Sequence, residues 1–137
     1  FFHYMTTALK QFHPPGNVLT TGKTDIKRLL IPLTGTIRLY SLKFGIRGYS
    51  TLERLSGLYE GNHIDHNLLR ETARAWNDLS SLRLSHQALC VNKYVEPDNT
   101  IDLQFSESEA RYFANQALTA INNLLLKAGT DFYTDTL

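Results

Sequence analysis

Arg83, His86 and Gln87 stand at i, i+3 and i+4 within Arg83-Leu84-Ser85-His86-Gln87, a spacing that gathers them on one side of a helix. A guanidinium presents a fork of donors that fits a phosphate or carboxylate, and an imidazole beside it adds one more hydrogen bond. Their position is anomalous. Leu69, Thr72, Trp76 and Leu79 recur at spacings of three, four and three, and that face runs straight into Arg83 and His86. Charged groups on a core-facing stripe must be paired or line a cleft. Further cations lie on other predicted helices: Lys27 and Arg28, then Arg38, eleven residues beyond Lys27 and so on nearly the same side, and Arg54. Two readings stay open. These side chains bind an anionic group, or they pair with Asp25, Glu53 or Asp78 and stitch helices together, fixing packing specificity more than stability.

Other chemistry finds less support. His63-Ile64-Asp65-His66 offers three potential metal ligands in four residues, but a polar turn and a helix cap account for all of them. No metal site is expected. Gly-x-Ser-x-Gly and His-Glu-x-x-His are missing from the sequence, as is a Gly-rich phosphate loop. Asp98 and Asp102 read as turn chemistry, and Glu107 and Glu109 as acidic residues suited to a helix N-terminus. Cys90, among Ala88, Leu89 and Val91, reads as a buried structural thiol with no activating base nearby. No residue is assigned a catalytic role.

The elements that must position these groups are helical. Phe2 to Phe12 is a short amphipathic segment, ended by His13-Pro14-Pro15-Gly16-Asn17. Val18 to Lys23 is a connector, Thr24 an expected N-cap, and Asp25 opens a helix to about Phe44. Ile26, Leu30, Leu33, Ile37, Tyr40 and Phe44 form its apolar stripe, and Pro32 is expected to kink it. Ser50 or Thr51 caps a short helix to about Tyr59, and Asp65 caps the longest, to about Cys90. Ser106 with Glu109 is a capping box opening a last helix to about Ala128, with Ala110, Phe113, Ala117, Ile121 and Leu124 buried. The expected architecture is all-α, a bundle of four main helices with an N-terminal helical appendage.

Bulk properties narrow the class. The 137 residues suffice for one domain, with 42% apolar and 20% charged residues. A net charge of +1 gives no electrostatic reason to expect nucleic acid, and no apolar run spans a bilayer. One cysteine and no leader peptide suit a cytoplasmic setting. Beginning at Phe1, the chain reads as cut from a longer protein.

Thr24-Asp25-Ile26-Lys27-Arg28, Ile37-Arg38-Leu39-Tyr40-Ser41-Leu42, Gly45-Ile46, Thr51-Leu52-Glu53-Arg54-Leu55 and Arg83-Leu84-Ser85-His86-Gln87, in that order, resemble the nucleotidyltransferase substrate-binding domain. That domain is the C-terminal helical part of bacterial signal-transduction proteins similar to the protein-PII uridylyltransferase, often carrying CBS or cyclic-nucleotide-binding domains. The resemblance covers about Phe1 to Leu126, including Phe12-His13-Pro14-Pro15. It implies that residues 1–23 join a missing upstream nucleotidyltransferase domain and that 24–137 form the substrate-binding domain. It also implies that Mg²⁺ and a nucleoside triphosphate serve the parent protein, not this chain, and that the acceptor is a protein or small molecule. Lys27, Arg28, Arg38, Arg83, His86 and Gln87 would line the cleft facing the catalytic domain. The alternative is a non-catalytic interaction or homodimerisation module.

Overall fold

In a computed structural model that describes residues 23–102 and 108–134, the chain is predominantly helical. The expected helix over 2–12, the breaker cluster at 13–17 and the capping residue Ser106 lie outside those residues. The order is β1 (Lys23–Asp25), α1 (Ile26–Phe44), α2 (Thr51–Glu60), α3 (His66–Asn92), β2 (Thr100–Asp102) and α4 (Ser108–Thr134). Four main helices are therefore present, as the periodicity predicts. No helix among the described residues is long and apolar enough to cross a membrane.

α1 is the central element because its apolar stripe is wide enough to face three partners at once. Ile26, Leu29, Leu30, Leu33, Ile37, Leu39 and Tyr40 are buried, and α1 packs against α2, α3 and α4. Asp25 caps it, its side chain accepting from the Lys27 amide at 2.9 Å, in place of the expected Thr24. Thr24 instead belongs to β1. A two-strand antiparallel ribbon pairs Thr24 with Ile101, and Ile101 enters the core. Three residues per strand are too few to show a strand period in the sequence; of the expected connector only Lys23 is among the described residues, and it opens β1.

The other caps follow their residues. Gly45 ends α1 at φ 66°, a left-handed conformation that glycine adopts without Cβ strain, and its amide and that of Ile46 both donate to the Ser41 carbonyl. Ser50 caps α2 by accepting from the Glu53 amide, and Asp65 caps α3 by accepting from Leu68 at 2.7 Å. α4 runs six residues beyond the expected end at Ala128. Its buried face is Ala114, Ala117, Ala120, Ile121, Leu124, Ala128 and Phe132, shifted from the expected stripe because Ala110 and Phe113 are only half-buried.

A polar contact anchors α4 to α1. The Tyr40 hydroxyl donates to Asp131 Oδ2 at 2.6 Å, and Lys127, one turn before Asp131, donates to the same oxygen at 2.6 Å. Burial pushes the Asp131 carboxyl up, but the hydrogen bonds from Lys127 and Tyr40 outweigh it and hold the group below its ordinary 3.8. Burial, followed by the hydrogen bond and charge of Asp131, pushes the Tyr40 phenol well above its ordinary 10.0. The signs then run in opposite directions. A depressed carboxyl stabilises the fold above pH 3.8 and loses that contribution as pH falls below it, whereas a raised phenol costs stability as pH climbs past 10.0. Replacing Tyr40 by Phe should lower stability by about 1 kcal/mol at neutral pH. The difference between wild-type and Tyr40→Phe denaturant midpoints should shrink toward both pH extremes; a difference independent of pH would remove the hydroxyl–carboxylate bond from this account.

Gly57 on α2 fits closely against the turn after α1. A Cβ added there would lie 2.5 Å from Ile46 Cγ2, a branched carbon with little room to rotate away. Gly57→Ala should therefore destabilise by about 1–3 kcal/mol despite better helix propensity. Adding Ile46→Ala to it should recover part of the loss in thermal unfolding.

Candidate functional site

The chemistry-bearing residues occupy two places, at opposite ends of α1. The first is where the α3 stripe turns polar. α3 brings Arg83, His86 and Gln87 to one side, and the turn Pro97-Asp98-Asn99 that precedes β2 comes back over them. Arg83 Nε donates to Asn99 Oδ1 at 2.7 Å, and Gln87 Nε2 donates to the same oxygen at 3.1 Å. The Asn99 carbonyl accepts from the Ile26 amide at 2.9 Å. One asparagine thus joins α3 to the start of α1, where Lys27 and Arg28 stand exposed.

His86 Nε2 lies 2.6 Å from Asp98 Oδ1, which also accepts from the Thr100 amide at 3.2 Å. The hydrogen bond from His86, then the Thr100 amide, holds the exposed Asp98 carboxyl below its ordinary value. Asp98 makes the expected turn contact and is also the partner of His86. Cys90 is buried, as expected, but its Sγ is 3.5 Å from His86 Nε2, so an imidazole does stand beside the thiol. Spacing contains this contact: residues 86 and 90 are one helical turn apart.

Of these expected carboxylate partners Asp25 does take Arg28, whereas Arg83, His86 and Gln87 turn to Asp98 and Asn99. Asp25 stays with its own helix, 4.0 Å from Arg28 Nε. Burial raises the Asp78 carboxyl above its ordinary value, with Arg74 pulling the other way, and one Asp78 oxygen is buried without a hydrogen bond. The His63-Ile64-Asp65-His66 group does not converge. His63 stacks on Phe44 at 3.8 Å and Asp65 is occupied in capping, as the polar-turn reading requires.

The second place is a cleft of about 610 Å³ at the C-terminal end of α1. Arg38, Ser41 and Leu42 line it from α1, residues 46–49 from the turn, and Glu53 and Arg54 from the first turn of α2. The turn is fixed on both sides. Glu53 Oε2 accepts from the Tyr49 amide at 2.9 Å, while a Cβ on Gly48 would sit 3.1 Å from Arg54 Cγ, so the Arg54 stem lies along the Gly48 backbone. Arg38, Arg47 and Arg54 make no ion pair or side-chain hydrogen bond among the described residues. Three guanidinium groups against one carboxylate leave the cleft net cationic, at the N-terminal, dipole-positive end of α2. Tyr49, 99% exposed, and Leu42 supply an apolar rim.

The structure therefore brings Arg83, His86 and Gln87 together around Asp98 and Asn99. Through the Asn99 backbone it places them beside Lys27 and Arg28. Arg38 stands apart from them, because eleven residues along α1 is about 16 Å even when the two ends face the same side. Arg47 escaped the sequence reading. Its signal was the pair Gly45 and Gly48 around it, a tight turn pointing one more cation at Arg38.

Asn99→Ala should leave the Arg83 and Gln87 donors without their acceptor and cost about 1–3 kcal/mol. Hydrogen exchange should accelerate at the Ile26 amide and in the ribbon but not in the 45–50 turn. Uniform acceleration would mean that Asn99 does not act locally.

The family model described as "Putative nucleotidyltransferase substrate binding domain" matches residues 1–132. No curated protein and no solved structure gives a significant match.

Proposed function

This chain belongs to the nucleotidyltransferase substrate-binding domain family, and from that membership we propose that it is the accessory domain of a nucleotidyltransferase, holding an anionic group of the nucleotide or of its acceptor. The observation that carries this reading is the net cationic cleft, in which Arg38, Arg47 and Arg54 lack ion-pair partners among the described residues. Unpaired guanidinium groups in a preformed cleft meet the geometric requirement for fork-like recognition of phosphate or carboxylate. Lys27 and Arg28 add exposed positive charge at the other end of α1, while Arg83, His86 and Gln87 position the turn over the start of that helix.

In this reading the parent protein moves a nucleoside monophosphate from a nucleoside triphosphate to a protein or small molecule, in the cytoplasm of a bacterium. Mg²⁺ and the triphosphate bind mainly to an upstream nucleotidyltransferase domain. Among the described residues the one group of three metal-ligating side chains combines nitrogen, sulfur and oxygen, whereas Mg²⁺ prefers an octahedron of oxygens. Signalling domains such as a CBS pair would control access.

A second reading, an interaction or homodimerisation module, draws on one feature. Leu84, Val91 and Val95 are each more than half exposed near the C-terminal end of α3.

The test uses the full-length protein with Mg²⁺ and labelled nucleoside triphosphates in an extract of its own cells. Arg38→Ala and Arg54→Ala should each lower transfer at limiting substrate by about 10–100-fold, the loss of one charge-assisted hydrogen bond. Circular dichroism should be unchanged. Unaltered transfer by both variants would overturn the cleft as the binding site and favour the interaction module, whose signature is loss of self-association on Leu84→Glu.

A further inference from the structure

We propose that His86, Cys90 and Asp98 form a binding site for a divalent transition-metal ion of the zinc type. The three donor atoms, an imidazole Nε2, a thiol Sγ and a carboxylate oxygen, all lie within 4.8 Å of one another. They come from two segments, the last turns of α3 and the turn before β2, with Asp98 eight residues beyond Cys90. The site is therefore a product of tertiary structure and not of one helix face.

Distances favour an ion of this size. Zinc bonds of about 2.0–2.3 Å to nitrogen, oxygen and sulfur, in a tetrahedron, set adjacent donors about 3.3–3.8 Å apart. His86 Nε2 to Cys90 Sγ is already 3.5 Å. His86 Nε2 to Asp98 Oδ1 is 2.6 Å, so this pair must open by less than about 1 Å. Asp98 can make that movement because its side chain is 62% exposed. The Thr100 amide, donating to the same carboxylate, limits how far it swings.

Charge and donor type select the ion. A thiolate and a carboxylate cancel the double charge, and a neutral imidazole completes three protein ligands, leaving a fourth position for water or a substrate atom. Sulfur and nitrogen disfavour Mg²⁺ and Ca²⁺. On loading, the Cys90 thiol proton passes to solvent. The imidazole proton that bridges to Asp98 leaves Nε2 and is replaced by one on Nδ1, so both donor atoms face the ion with free lone pairs. Arg83, one turn earlier, is turned toward Asn99 and stays outside the trio. The bound ion would then clamp the 97–99 turn, and with it the ribbon, onto α3.

The test is titration of the chelator-treated full-length protein with Co²⁺. Expected are a thiolate-to-cobalt charge-transfer band in the near ultraviolet, its loss on adding Zn²⁺, and a higher midpoint of thermal unfolding with either ion. Cys90→Ser should abolish the band. Asp98→Asn, which keeps the shape of the side chain, should weaken cobalt affinity by more than about tenfold. Circular dichroism of both variants without metal should match wild type, which separates ligand loss from unfolding. A folded wild-type protein without the band, or a band that survives Cys90→Ser, would overturn the site.

Discussion

The arrangement of this molecule depends on how a helix carries an arginine, a histidine and a glutamine on the face that should bury itself. Apolar packing cannot satisfy those groups, and leaving their donors unpaired in a half-buried position would cost about 1–3 kcal/mol each. Asn99 resolves most of this. Its side-chain oxygen takes the Arg83 and Gln87 donors, and its carbonyl takes the first amide of α1. Asp98 takes His86. The turn between α3 and β2 is therefore set by the polar end of α3, and the ribbon that registers Thr24 against Ile101 follows from the turn.

That constraint divides the work along α1. Its N-terminal end is bound into the ribbon and the Asn99 junction, and its middle forms the core with α2, α3 and α4. Beyond Tyr40, whose hydroxyl fixes α4 through Asp131, the helix leaves the core. There the glycine-bounded turn places Arg47 and Arg54 beside Arg38 without bringing carboxylates enough to neutralise them. A rigid scaffold with unsatisfied charge in an open cleft is suited to holding an anion presented by a neighbouring domain. In the function proposed above the fold contributes recognition, and the bond-breaking chemistry would fall to the nucleotidyltransferase domain that the family's name implies.

Polar side chains at the two ends differ in what they can do for the protein. Around Asn99 every donor named has an acceptor, so substitution there acts first on folding. In the cleft the guanidinium groups owe the fold little, so substitution there acts on whatever they bind. His86 and Asp98 belong to both categories: their bond holds the turn as it stands, yet with Cys90 their donor atoms have the identities and separation that a zinc-type cation would use.

Helix number, most caps and the apolar face of α1 were legible in the sequence because each depends on neighbours three or four residues apart. Gly45, Ser50 and Asp65 act within one turn of themselves, and their roles follow from residue type and local spacing. The anomaly of Arg83 and His86 was legible for the same reason. Its resolution was not: Asn99 lies sixteen residues beyond Arg83, and nothing local distinguishes an acceptor for α3 from an ordinary turn residue. The ribbon was hidden because three-residue strands carry no period, and the far end of α4 because Gly129 and Thr130 are poor helix formers and the packing of Phe132 on Tyr40 that extends the helix is a tertiary contact. The sequence alone determined the helical class, the family and the chemical types available for binding an anion. Tertiary structure alone decided which of those groups are consumed in holding the chain together and which remain open, since a charge is spent or free according to what folding places within hydrogen-bond distance of it.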